Sequence, residues 1–237
     1  MKERPTCPNC HLPLESCQCR ESEKKESNLE EGSEIFENEN LLIHVTRYEN
    51  LERILKEGII SEEFANRTGR VTGRGVTVSS FQGKENISLF SFQKLISDYE
   101  ETKKAFLPNL KEAASLYLKN KVKNKRKAIK KFISFKGPFG FAPYNPILVI
   151  DEKLVKTEPA KGLYPGEVFA KFRIAPREIK AIIINEKECK KQKIEDKKMT
   201  VFDYILSIVQ KSNLPLYNIN GDLIWRSRRN THINQKI

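Results

Sequence analysis

The segment LLIHVTRYENLERILKEGII, residues 41–60, changes its apolar spacing from that of a strand to that of a helix. Apolar residues alternate with His44 and Thr46, which predicts a strand that carries these two side chains on one face. Asn50 supplies a helix N-cap, and the apolar residues after it recur at helical spacing. Gly58 supplies the left-handed residue that ends the helix. The pattern predicts a strand that leads directly into a short helix.

Three later segments also have the spacing of strands. Residues 73–81, GRGVTVSSF, predict a loop that enters a strand with alternating valines and hydroxyl side chains. Residues 143–155 predict a buried strand that ends in an acidic turn. Residues 165–185 predict two β runs joined at Pro176, and Glu167 opens the first of them on its more polar face.

Helical patterns occupy the middle and the end of the chain. Residues 85–135 predict a long, mostly helical insertion, whose first half has an apolar face suited to packing on a sheet. Residues 199–211 predict an amphipathic helix, and residues 214–225 predict a hairpin with Asn220-Gly221 as its turn. Strands and helices in this arrangement predict an α+β domain over residues 41–237.

Composition adds a linker and a charged surface to this picture. The 237 residues carry a net charge of +12, yet residues 21–40 hold eight glutamates and only two lysines. Such a stretch buries too little apolar surface to order itself, which predicts an acidic flexible linker. No window is apolar enough for a membrane helix, and the N-terminus has no apolar signal region, so we expect a cytoplasmic protein without membrane contact.

The strongest basic bias lies at KNKVKNKRKAIKK, residues 119–131, with eight lysines or arginines and no acid. A basic surface of this kind favours an anionic partner, most simply DNA or RNA. The alternative is a solvated, lysine-rich helix without a partner. We expect nucleic acid as the partner.

Four of the five cysteines form two close pairs near the N-terminus, at Cys7, Cys10, Cys17 and Cys19. Four thiolates at this spacing can surround one ion, and Zn²⁺ prefers tetrahedral sulfur ligands in closed structural sites. His11 could replace one thiolate, and a redox or disulfide role is the alternative. Residues 1–20 are therefore predicted to form a structural zinc knuckle. The stretch resembles the zinc knuckle at the start of archaeal relatives of eukaryotic initiation factor one.

The order of motifs over residues 41–185 resembles the ADP-ribosyltransferase fold. A strand with His44-x-Thr46 precedes an NL-x-x-IL-x-x-G helix, a Val-Thr-Val-Ser-Ser strand follows, and a Glu-Val strand comes late. The first segment is most similar to that of the DarT-type DNA ADP-ribosyltransferases and, more distantly, to that of the RNA 2′-phosphotransferases. The resemblance implies a split β-sheet core, with the helical insertion as an addition specific to this chain.

The resemblance also implies roles for individual residues. Contacts to NAD, which is a substrate here, would fall on His44, Thr46, Thr77, Ser79 and Ser80. Catalytic roles would fall on Glu167, Arg70 and Arg74, and Arg67 is an alternative for the arginine that the family has after the first helix. An antitoxin protein is a candidate partner by the same resemblance.

These residue types suit the chemistry of ADP-ribose transfer. Cleavage of the nicotinamide–ribose bond develops oxocarbenium charge, which the Glu167 carboxylate can stabilise while it accepts a proton. Arg70 or Arg74 can contact the diphosphate through bidentate hydrogen bonds. The alternatives are an exposed strand glutamate, surface arginines, and a histidine satisfied at a strand end. The strictest expectation is that His44 and Glu167 line one NAD cleft.

We expect an NAD-dependent ADP-ribosyltransferase that modifies a nucleic acid. A second enzymatic interpretation is an NAD-dependent RNA 2′-phosphotransferase, although the chain has only three histidines for a chemistry that uses several. A third interpretation is a non-catalytic nucleic-acid-binding module, built from the zinc knuckle and the basic helix. An enzyme requires His44 and Glu167 to face one cleft, whereas a binding module does not.

Overall fold

Twelve strands and eight helices occupy the part of the chain that the computed structural model describes, residues 34–69, 83–100, 108–119, 121–134, 142–160 and 164–226. The strands are β1 (Leu41–Val45), β2 (Ile59–Ile60), β3 (Asn86–Ser91), β4 (Ile147–Asp151), β5 (Thr157–Pro159), β6 (Glu167–Lys171), β7 (Arg173–Ile174), β8 (Ile179–Ile184), β9 (Lys193–Ile194), β10 (Met199–Thr200), β11 (Leu216–Asn218) and β12 (Leu223–Trp225). The helices are α1 (Glu34–Glu37), α2 (Leu51–Glu57), α3 (Glu62–Arg67), α4 (Phe92–Ser97), α5 (Pro108–Lys119), α6 (Lys121–Ile133), α7 (Glu186–Lys191) and α8 (Val201–Ser212).

Eight of these strands form one mixed sheet in the order β12-β11-β8-β4-β1-β3-β6-β5. The pair β8–β11 is parallel, and the other neighbours in this sheet are antiparallel. Helices are interspersed with the strands along the chain. A large mixed sheet with helices is compatible with the predicted α+β class.

Helices cover both faces of the sheet, because most of its strands are apolar on both sides. One face packs against α4, α5 and α6, and it carries Ile43, Phe90 and Val149. We call it the α5–α6 face. The opposite face packs against α2, α7 and α8, and it carries Leu42 and Leu148. We call it the α8 face. The alternation predicted for β1 is confirmed, since neighbouring residues of this strand belong to opposite cores.

Strands β1 and β3 are neighbours in one continuous sheet, but their ladder is short. These strands share only the pairs Leu42–Ser91 and Ile43–Phe90, whereas β1 and β4 pair over the whole of β1. Continuing the same register would pair Val45 with Ser88, but the ladder does not reach them. Strands β3, β6 and β5 therefore form one arm of the sheet, which joins the other five strands at a short contact.

The link from β1 to α2 follows the predicted pattern at its end and departs from it at its start. Gly58 has φ +92, and a Cβ at this position would lie 2.2 Å from the carbonyl oxygen of Ile174, so only glycine fits. Asn50 instead lies in a 3₁₀ turn over Tyr48–Asn50 and caps the helix with no side-chain hydrogen bond. The predicted capping role of Asn50 is wrong, because the helix is preceded by helical backbone rather than by an extended residue.

The boundaries of the linker and the insertion need correction. Residues 34–37 form α1, and Phe36 is fully buried, so the predicted linker 21–40 does not extend through this part. Residues 21–33 lie outside the described residues. Asn86–Ser91 is a central strand, so the predicted insertion 85–135 begins only after it, at α4. A single apolar face fits either a strand or a helix over so few residues, which explains the error.

The C-terminal predictions are confirmed. Helix α8 begins with a capping box between Thr200 and Asp203 and buries four apolar residues. Strands β11 and β12 form the predicted hairpin around Asn220-Gly221. Among the described helices, none is both long and apolar enough to cross a membrane.

Candidate functional site

Glu167 is the first residue of β6 and follows a tightly packed turn. Gly166 has φ +80, and a Cβ there would lie 3.0 Å from Leu95 Cβ and 3.2 Å from the carbonyl oxygen of Ser91. The Gly166 carbonyl oxygen accepts a hydrogen bond from the Ser91 amide at 2.8 Å, and the Glu167 amide donates to the Tyr164 carbonyl oxygen at 3.1 Å. The backbone that carries the Glu167 side chain is thus fixed by β3, α4 and its own turn.

The Glu167 carboxylate is held by Ser88 on the neighbouring strand. Ser88 Oγ donates a hydrogen bond of 2.6 Å to Glu167 Oε1, which is in the short range typical of hydroxyl–carboxylate bonds. The β3–β6 register pairs Ser88 with Phe169 and Phe90 with Glu167. Ser88 and Glu167 are therefore diagonal neighbours on the α5–α6 face.

Glu167 is only 1% exposed, and among the described residues it is the one acidic or basic side chain that is buried. Removing a carboxylate from water costs several kcal/mol, so such a residue is rarely placed inside a fold for stability alone. A buried carboxylate with a specific hydroxyl partner is a candidate functional group. The predicted alternative, an exposed strand glutamate, is therefore wrong.

His44 lies at the point where β1 and β3 separate. Its Nδ1 is 3.0 Å from the carbonyl oxygen of Ser88. Ser88 would pair with β1 if the ladder between β1 and β3 continued this far. A carbonyl oxygen only accepts hydrogen bonds, so Nδ1 carries the proton and Nε2 is the acceptor nitrogen. Burial lowers the pKa of His44, and the bond to Ser88 offsets part of this effect. The imidazole is therefore neutral at pH 7.

His44 and Glu167 occupy opposite faces of the sheet. His44 pairs with Leu148 on the α8 face, whereas Glu167 pairs with Phe90 on the α5–α6 face. The expectation that His44 and Glu167 line one NAD cleft is wrong, because β3 lies between their strands and their side chains project from opposite faces of the sheet. The arrangement that the enzymatic interpretation requires of this pair is therefore not met. The two side chains are linked instead through Ser88, whose carbonyl oxygen contacts His44 and whose hydroxyl contacts Glu167.

The other predicted NAD and catalytic residues are distributed as follows. Thr46 is buried, and its amide donates to the Pro146 carbonyl oxygen at 3.1 Å just beyond β1. The remaining predicted residues all fall outside the described residues: Arg70, Arg74, Thr77, Ser79 and Ser80. Of the predicted set, the structure thus brings His44 and Glu167 into one hydrogen-bonded chain and places Thr46 two residues from it.

The predicted zinc ligands Cys7, Cys10, Cys17 and Cys19 also lie outside the described residues. Within the described ranges, no group of three or more histidine, cysteine, aspartate or glutamate side chains is arranged to hold a metal ion. Cys189 is buried in α7, where burial raises its thiol pKa to about 12. A protonated, inaccessible thiol of this kind is chemically inert.

Residues 121–131 of the basic run form most of α6, which packs beside α5 on the sheet. Lys125 forms an ion pair with Glu39 at 3.0 Å, and Lys131 forms one with Glu112 at 2.8 Å. Lys127 is exposed on the same helix. Part of the positive charge of α6 is therefore neutralised within the fold, whereas Lys127 faces solvent.

Ser88 is the residue that the sequence interpretation missed. It belongs to the run NISLFS, in which Ile87 and Leu89 alternate with polar or less buried positions. The sequence therefore has the period-two pattern of a strand at this run. The prediction instead includes the run in the helical insertion 85–135 and expects the second strand at residues 73–81, which lie outside the described residues. Recognising the strand would have placed a hydroxyl next to the strand of Glu167.

In comparisons with known proteins, no family model matches the chain, and no curated protein is significantly similar to it.

Proposed function

We propose that this protein is an NAD-dependent ADP-ribosyltransferase that modifies a nucleic acid. The observation that carries the proposal is the buried Glu167 carboxylate, which accepts a 2.6 Å hydrogen bond from Ser88 beside the separation of β1 and β3. The short ladder between β1 and β3 supports the split core that the family resemblance implies. Both features occur where the resemblance places the catalytic glutamate.

The proposed reaction breaks the bond between ribose and nicotinamide and forms a bond between ribose and the acceptor. The bond between ribose C1′ and the nicotinamide nitrogen breaks, and nicotinamide leaves with the electron pair. The positive charge that develops on the ribose is stabilised by the Glu167 carboxylate, which costs no reorganisation because Ser88 already orients it. The acceptor atom then forms the new bond to C1′, and its proton passes to Glu167 or to water.

Because His44 and Glu167 lie on opposite faces of the sheet, the proposal gives up the predicted contact of His44 with NAD and the shared cleft. His44 acts in it as a positioning residue instead. Its neutral imidazole holds the Ser88 carbonyl oxygen in place, and the Ser88 hydroxyl holds the carboxylate. The contacts to NAD fall on Thr46 and on the residues of the 70–82 segment that the resemblance names. Arg70 or Arg74 would supply the charge for the diphosphate, and the zinc knuckle would be a structural accessory.

A non-catalytic nucleic-acid-binding module is the second candidate. It is favoured by one observation, namely that His44 and Glu167 face opposite sides of the sheet. A binding module needs no shared cleft, and its affinity would come from the basic residues of α6.

One assay separates the two candidates. Purified protein is incubated with NAD labelled in the adenylate portion, together with separate pools of single-stranded DNA, duplex DNA, RNA and protein. The transferase predicts label in one nucleic-acid pool and release of free nicotinamide. Absence of label from every pool, with intact salt-dependent nucleic-acid binding, would favour the non-catalytic module.

A further inference from the structure

Three tyrosines meet at the end of β1 on the α8 face. Tyr48 begins the 3₁₀ turn after β1, Tyr144 precedes β4, and Tyr204 lies on α8. The ring centroids of Tyr48 and Tyr144 are 5.9 Å apart, and those of Tyr48 and Tyr204 are 6.0 Å apart, both in edge-to-face arrangements. All three side chains are half-buried and rest on the α8 core. We call these residues the tyrosine cluster.

Lysine ammonium groups lie over the aromatic rings at this surface. Lys197 Nζ is 3.9 Å from the centroid of the Tyr204 ring. Lys190 Nζ is 4.8 Å from the centroid of Phe202, although it also forms an ion pair with Glu186. Cation–π contacts of this kind hold positive charge directly above a flat apolar surface. The Lys197 ammonium group therefore covers one face of the Tyr204 ring, and a base that stacks on this face has to displace it.

The turn that carries Lys197 adds two further lysines. Lys193, Lys197 and Lys198 are exposed, and within the described ranges none of them forms an ion pair. Glu195 and Asp196 lie in the same turn, so the excess positive charge over residues 193–198 is small. Electrostatic attraction is thus modest here, and a ligand must also use the aromatic rings.

We propose that the tyrosine cluster and Lys197 form a binding surface for single-stranded nucleic acid. Every base has a flat face that can stack on an aromatic ring, and backbone phosphates suit Lys193, Lys197 and Lys198. A duplex keeps its bases stacked on one another, so the surface selects single strands. The basic helix α6 packs on the other face of the sheet, which makes this a separate surface.

Tyr48 lies only two residues beyond Thr46, so the surface adjoins the strand end that carries His44. Identification of the bound strand as the acceptor of ADP-ribose rests on the proposed function. Binding of the strand does not, because it requires neither NAD nor Glu167. The experiment below therefore measures binding alone, and its failure would leave the transferase proposal standing.

The first test compares two tyrosine replacements in the full-length chain. Fluorescence anisotropy is recorded with labelled 20-nucleotide single strands of mixed sequence, one of DNA and one of RNA, and with the matching duplexes. Tyr204→Leu keeps apolar packing but removes the stacking ring, and it should raise the Kd for single strands about five-fold to a hundred-fold. Tyr99→Leu, at a half-buried tyrosine on the α5–α6 face, should leave that Kd unchanged.

The second test uses an exposed residue whose replacement leaves the core intact. Lys197→Gln should flatten the dependence of log K on log salt by about 0.7, the value for one lost phosphate contact on a single strand. Tighter binding of the DNA or the RNA strand would identify the preferred sugar, and either result supports the surface. Wild-type binding by both Tyr204→Leu and Lys197→Gln would overturn the proposal, as would equal affinity of the wild-type protein for duplexes.

Discussion

The Ser88 hydroxyl donates a 2.6 Å hydrogen bond to the carboxylate of Glu167, and the carbonyl oxygen of the same serine lies 3.0 Å from His44 Nδ1. One residue of β3 thus connects a buried carboxylate on one face of the sheet with a neutral imidazole on the other. The connection lies where the short β1–β3 ladder ends, so this end of the ladder and the candidate site are parts of one arrangement.

The neutral state of His44 makes stability depend on pH. Burial lowers its pKa in the folded protein, so the unfolded chain binds more protons below about pH 6.5. The stability that the neutral, buried His44 contributes is complete above the unfolded-state pKa. This contribution is lost as the pH falls from there towards the lowered folded-state pKa. We expect the free energy of unfolding to decrease by up to about 1 kcal/mol more in wild type than in His44→Gln between pH 7.5 and 5.5. Urea unfolding at both pH values measures this difference, and equal decreases would show that His44 titrates normally.

Gly58→Ala should be strongly destabilising. Its positive φ costs about 1–2 kcal/mol for a residue with a Cβ, and the new atom would also meet the Ile174 carbonyl oxygen at 2.2 Å. We expect a total loss of at least about 2 kcal/mol in the free energy of unfolding, measured by chemical denaturation.

Gly69→Ala is the matched control for Gly58→Ala. Gly69 also has a positive φ, of +64, but a Cβ there would have no atom within 4 Å. Only the conformational cost of about 1–2 kcal/mol should remain. If both variants lost the same stability, the close approach of Ile174 to Gly58 would have no energetic consequence.

Much of the fold follows from period and turn signals that are local in sequence. The alternation in β1, the glycine end of α2, the apolar stripe of α8 and the Asn220-Gly221 hairpin are all predicted, because each depends on residues a few positions apart. Prediction of the site required information that is not local in sequence. Whether His44 and Glu167 share a face depends on which strand lies between them and on the ladder register, neither of which is local. Burial of Phe36 likewise depends on the α5–α6 face, which lies far along the chain.

The N-terminal cysteines should bind one zinc ion. Because structural zinc contributes folding free energy directly, Cys10→Ser should lose the metal and loosen residues 1–20 while the rest of the fold keeps its stability. Elemental analysis of purified protein should give about one equivalent of zinc for wild type. Cys189→Ala, which removes the thiol buried in α7, should retain that equivalent. A wild-type protein with less than about half an equivalent would contradict the zinc knuckle.

The lysines of the basic run should contribute salt-dependent affinity for nucleic acid. Replacement of Lys119, Lys123 and Lys127 by glutamine should flatten the slope of log K against log salt by about two to three, since each lost phosphate contact removes 0.7–0.9. The matched control replaces Lys125 and Lys131, whose charges are already paired with Glu39 and Glu112. The control should change the slope by less than about one. An unchanged slope in the triple variant would identify α6 as a solvated helix without a partner.

The central claim is that Glu167 is the catalytic carboxylate. Glu167→Gln keeps the shape of the side chain but removes the charge that stabilises the oxocarbenium-like state, whereas Glu158→Gln, on the adjacent strand β5, changes an exposed carboxylate. The decisive measurement is the rate of ADP-ribose transfer from labelled NAD by both variants, alongside their affinity for NAD. We predict that Glu167→Gln binds NAD but transfers at least about a hundred-fold more slowly, and that Glu158→Gln retains wild-type activity. Full transferase activity in Glu167→Gln would contradict the account.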